Sequence, residues 1–137
     1  MEVLSSRIHL RPTDPIRSRD FYRDVIGLGI FREFGEPDSP GTVFFLANGL
    51  LEVSGAVDAY SVPPLSLWLQ VRDVAAEHAR IVAAGAVSVQ EPGIRPWGLV
   101  EAGVSDPDGV IIMLVEVPED HPMRRDQRHP GHGLPFA

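Results

Sequence analysis

The chain has 137 residues, no cysteine, and twelve basic residues that are all arginine. Those absences exclude thiol nucleophiles, disulfides, thiolate metal sites, Schiff-base lysines and phosphate loops built on a lysine. A net charge of −7 speaks against a nucleic-acid partner, and no apolar run approaches the roughly 20 residues that span a bilayer.

Met1 to Leu10 lacks a basic region followed by a long apolar stretch, so the expected location is the cytoplasm. A first strand is predicted over Arg7–Arg11. Asp14 then caps a helix that Pro15 opens, with Ser18, Phe21, Tyr22, Val25 and Ile26 at helical spacing and Gly27 at its end. Strands follow at Gly29–Phe34, Val43–Ala47 and Leu50–Ser54, the last two joined by a hairpin at Asn48-Gly49. Leu65–Val71 is the next strand. Asp73 caps a second helix whose Val74, His78, Ile81 and Val82 form an apolar stripe closed by Gly85. Val87–Glu91, Leu99–Ser105 and Val110–Val117 complete eight strands, with Asp108-Gly109 turning between the last two.

The order strand, helix, three strands therefore occurs twice. The capping aspartates, the closing glycines and the hairpin glycines repeat at an offset of about 59 residues, which identifies an internal duplication. One half cannot cover both faces of a four-stranded sheet with a single helix, so the two pack together. The expected fold is α+β: one domain over 1–118, made of tandem βαβββ modules (1–59 and 60–118), followed by a polar tail at 119–137. The tail histidines His121, His129 and His132 have no metal-binding spacing and receive no role.

The stretch Phe21-Tyr22-Arg23-Asp24-Val25-Ile26-Gly27-Leu28, together with Val71-Arg72-Asp73-Val74 and Ser105-Asp106-Pro107-Asp108-Gly109, resembles the vicinal oxygen chelate superfamily of glyoxalases, bleomycin-resistance proteins and extradiol dioxygenases. The resemblance covers about Ser5 to Val117. It implies a cup-shaped half-barrel around a ligand cavity, and in many members a homodimer. It also implies metal-ligand positions, a histidine seven residues before each capping aspartate and a glutamate on each module's last strand. Here those positions hold Arg7, Ser66, Glu52 and Met113, so only Glu52 matches. A lone carboxylate beside an arginine does not hold a divalent cation. No metal and no other cofactor is expected. His9 shares the strand face of Arg7 and is the one candidate to join Glu52 in a rearranged site.

Strand parity then places Arg7, His9, Ser66, Trp68 and Met113 toward the cup with Glu52, and Phe44 is expected on its wall. Trp97, on a loop beside Arg95, is a further ligand-binding candidate. Bland roles weigh against each: an Arg7–Glu52 ion pair, an interior hydrogen-bonded His9, packing for Trp68, Met113 and Trp97, and a structural His78. The preferred expectation is a metal-independent protein that binds an aromatic or amphipathic small molecule without nucleic-acid or membrane partners. The alternative is an enzyme, a lyase, isomerase or dioxygenase-like protein, with Glu52 and His9 as metal ligands or proton acceptors. The fallback is a cup filled by its own side chains.

Overall fold

A computed structural model of the chain describes residues 1–2, 4–58 and 65–123. Asp14 accepts the Arg17 N–H at 3.0 Å and Pro15 opens α1 (Pro15–Asp20). The helix does not run on as a regular α-helix to Gly27. It widens over Phe21–Ile26 into π-helical i→i+5 bonding, and the N–H groups of Gly27 and Leu28 both return to the Tyr22 carbonyl. The wider turn puts Phe21, Tyr22 and Ile26 into the core together. Gly27 closes it in the left-handed region at φ 87°, where a side chain would be strained. α2 (Val74–Ala83) starts as expected, with the Asp73 carboxylate accepting the Ala76 N–H at 3.0 Å.

The strands are β1 (Arg7–Leu10), β2 (Ile30–Glu36), β3 (Ser39–Leu46), β4 (Gly49–Val53), β5 (Ser66–Gln70), β6 (Val87–Ile94), β7 (Val100–Ser105) and β8 (Ile111–Glu116). They form two four-stranded sheets, ordered β1-β4-β3-β2 and β5-β8-β7-β6, and each has one parallel pair at its inner end, β1 with β4 and β5 with β8. Neither sheet closes into a barrel, and the twofold βαβββ order places the chain in the α+β class.

Three boundaries differ from the sequence expectation. β2 and β3 are longer because Glu36 pairs with Ser39 across a two-residue Pro37-Asp38 turn, a proline position that favours turning. The β3–β4 turn is Ala47-Asn48 rather than Asn48-Gly49: Leu46 pairs with Gly49, and Ala47 takes a positive φ of 50°. β6 continues through Pro92 because it is an edge strand with register shifts, where the missing N–H costs no ladder bond.

One core joins the modules. Tyr22, Phe44 and Leu51 from the first and Leu67, Ile81 and Ile112 from the second belong to the same buried cluster. Polar ties reinforce it: Tyr22 donates to Asp106 at 2.8 Å, Thr13 Oγ1 donates to Asp108 at 2.6 Å, and Arg80 donates to the carbonyls of Val25 and Ile26 at 3.2 and 3.0 Å. Each sheet thus has a face turned to the helices and an opposite, open face. No helix among the described residues is long and apolar enough to cross a membrane.

Candidate functional site

On the open face of the first sheet, register places His9 opposite Glu52 and Arg7, two residues earlier on β1, opposite Leu50. Arg7 Nη1 donates to Glu52 Oε1 at 2.7 Å, and the Ser54 hydroxyl donates to Glu52 Oε2 at 2.6 Å. His9 Nε2 lies 2.8 Å from the same Ser54 oxygen. A hydroxyl has one proton and Ser54 gives it to Glu52, so His9 Nε2 carries the proton of the His9–Ser54 bond. The Ser54 and Arg7 bonds hold the Glu52 carboxyl below the usual carboxylate range, against the smaller opposing effect of burial. Ser54 was not among the sequence candidates, although it lies two residues past Glu52 and so shares its face.

Beyond Val43 and Leu50, this face carries aromatic rings. Phe31 and Phe45 meet edge to face at 5.2 Å, Phe34 lies over Gly41, and the Arg32 guanidinium sits 5.4 Å from the Phe34 ring centre. Phe31, Phe34 and Phe45 are 51%, 40% and 52% exposed. Phe44, expected on this wall, is instead fully buried against Tyr22 on the helix face. The reason is register: Phe44 pairs with Leu51, whereas Phe45 pairs with Leu50 and shares the face of Glu52.

The second sheet's open face is different. Ser66 pairs with Ile111, and Trp68 with Met113. Trp68 is half exposed, while Met113 packs beside Leu99, Val115, Val117 and Met123. A Cβ on Gly103 would stand 3.2 Å from the Met113 sulfur, so that glycine leaves the sulfur its space. Trp97 belongs to this end of the molecule: its indole N–H donates to Glu101 at 2.7 Å, and its carbonyl is 3.0 Å from His121 Nε2. His78 is buried and bonded to Ser88 at 2.9 Å, a packing role.

These side chains do not fit a divalent cation. Both oxygens of Glu52 already accept hydrogen bonds, one from a guanidinium, and His9 directs an N–H rather than a lone pair at the shared serine. Met113 and Ser66 supply no charged oxygen or imidazole, and no group of three or more His, Asp or Glu gathers among the described residues.

A cavity of about 880 Å³ opens between the modules, within the range of small-molecule pockets. Arg7 from β1 and Trp68 from β5, each an edge strand of its sheet, both line it. Ile8, Ile26, Leu69, Ile81 and Leu114 supply apolar walls, and Glu77 and Arg80 of α2 line it as an ion pair at 2.9 Å. The cavity thus brings Arg7 and Trp68 together.

Comparison with known proteins accords with this architecture. A probable lactoylglutathione lyase of Vibrio cholerae is 30% identical, with 82% of this chain and 89% of that protein covered. A glyoxalase-related enzyme from Fulvimarina pelagi superposes with a TM-score of 0.69 at 23% identity, covering 86% of this chain and 90% of the other. TnmS3, an antibiotic binding protein from Streptomyces sp. CB03234, does so with a TM-score of 0.66 at 21% identity, covering 85% and 98%. The two structural likenesses establish the fold. The sequence model of the Glyoxalase/Bleomycin resistance protein/Dioxygenase superfamily matches residues 5–114, and the chain belongs to that superfamily.

Proposed function

We propose that this protein binds a small aromatic or amphipathic molecule without a metal ion. The observation that carries the reading is the state of Glu52: the one carboxylate at a ligand position of the family has both oxygens committed to Arg7 and Ser54. The same bonds make it a weak base, which argues against proton abstraction by this group. The exposed aromatic wall and the cavity supply apolar surface for a ligand. TnmS3, a structural neighbour, is an antibiotic-binding protein, which is consistent with this role.

The test is a thermal-shift screen of aromatic compounds against protein dialysed with EDTA. A ligand at 100 times its Kd adds about 2.7 kcal/mol of stability, and the shift is expected to be the same with and without chelator. A stoichiometric transition metal that survives dialysis and disappears in Glu52→Ala would overturn the reading.

A lyase or isomerase is the second reading, favoured by the V. cholerae relative and by the imidazole of His9 standing beside Glu52 on the open face. Proton exchange at an activated C–H of a candidate substrate, abolished in His9→Ala, would bring it forward. The proposal also includes a cytoplasmic homodimer, for which the exposed rings of Phe31, Phe45 and Trp68 offer apolar contact surface. Light scattering on the purified protein measures that state.

A further inference from the structure

We infer that the cavity between the modules selects an aromatic carboxylate, its ring system among the apolar walls and its carboxylate on Arg7. This rests on the metal-free binding reading and adds the ligand's charge and orientation.

The argument is one of which charges a ligand can reach. Arg80 has spent its fork: Nε and Nη2 face Glu77, while Nη1 and Nη2 hold the carbonyls of Val25 and Ile26. Glu77 is paired with Arg80 through Oε2 in that same contact. Glu52 stands behind Arg7 with its side chain only 16% exposed and both oxygens engaged. Arg7 is the exception. Its side chain is 40% exposed, and its one hydrogen bond among the described residues uses Nη1.

That leaves the Nε–Nη2 edge of the guanidinium, two parallel N–H groups at the spacing of a carboxylate's two oxygens. Arg7 thus offers an unused donor edge at the cavity, although the chain as a whole carries −7. Trp68, 47% exposed on the neighbouring edge strand, offers a flat apolar face to a ring. Ile8, Leu69 and Leu114 come from the helix-side faces of their strands, so a ring entering past Trp68 passes between the two sheets.

Calorimetric titration of EDTA-dialysed protein with 2-naphthoate, 2-naphthamide and 2-naphthylmethylammonium tests this. Naphthoate is expected to bind about tenfold or more tightly than the amide, the worth of a charge-assisted hydrogen bond. In Arg7→Gln that ratio should fall to about one while amide binding persists, and Arg7→Lys should retain part of it. Leu28→Trp, which narrows the cavity, should weaken naphthoate; unchanged affinity would place the ring on the open face and overturn the inference. Equal binding of acid and amide, tighter binding of the ammonium, or an Arg7→Gln variant with its ratio intact would overturn it as well. If none of the three compounds binds, the metal-free binding reading itself falls. Melting curves of each variant separate loss of binding from loss of fold.

Discussion

Tyr22 and Asp106 are the first helix and the last hairpin turn in direct contact: the phenol donates to a carboxylate that also receives the N–H groups of Asp108 and Val110. Burial raises the Asp106 carboxyl above its ordinary 3.8, and these three bonds oppose that rise. The folded state therefore keeps this proton to higher pH than the unfolded chain, so the group's contribution to stability falls as pH climbs above about 3.8. Tyr22→Phe removes a bond that favours the ionised form. It should cost about 1.5–3 kcal/mol at pH 7 and less near pH 4, as read from urea midpoints with unchanged m-values.

Glu52 works in the opposite sense. Its folded carboxyl lies below the ordinary 4.5, so the stabilisation from Ser54 and Arg7 is complete above that value and is lost as pH falls through the lower, folded one. The melting temperature of the wild type is expected to drop on acidification from about pH 5 to pH 3, and Glu52→Gln should show a shallower drop over that interval. Parallel slopes in the two proteins would contradict the assigned bonding.

Gly41 makes room for a ring. A Cβ there meets the outer edge of Phe34, which is the movable end of a partly exposed side chain rather than backbone. Gly41→Ala is thus expected to swing Phe34 off the sheet and cost about 1 kcal/mol or less. The aromatic NMR shifts of Phe34 and the side-chain methylene and guanidinium shifts of Arg32 should move while the aromatic shifts of Phe44 stay in place.

Arg80 ends the first module's helix from outside it. Arg80→Met keeps much of the side chain's length but removes the donors to Val25 and Ile26 and the partner of Glu77. A loss of about 1–3 kcal/mol is expected, with faster amide exchange concentrated at Ile26 to Leu28.

The fold was legible because its signals are local and repeated: Asp14 and Asp73 are caps that bond where capping chemistry puts them, and eight apolar segments became eight strands. Parity was legible in both pairings. His9 against Glu52 needed no turn, since β1 and β4 pair in parallel; Phe45 rather than Phe44 shares the face of Glu52 whether the turn is Ala47-Asn48 or Asn48-Gly49, because moving a two-residue turn by one position shifts the pairing by two residues and keeps the faces. The π-helical turn left no composition signal. Likewise the cavity exists only between modules, and Arg80, which helps line it, reads in sequence as one more charged residue on a helix surface.

The crossed contacts have a consequence for how the molecule comes apart. The first helix has its final carbonyls satisfied by Arg80 of the second module, and the loop before it is tied through Thr13 to Asp108. The first half does not contain all the partners its own backbone requires. Loss of the second module leaves the first with open helix-end carbonyls, and loss of either exposes the apolar core that the two share, so the halves are expected to unfold as one cooperative unit. Heating should give a single transition whose calorimetric and van't Hoff enthalpies agree.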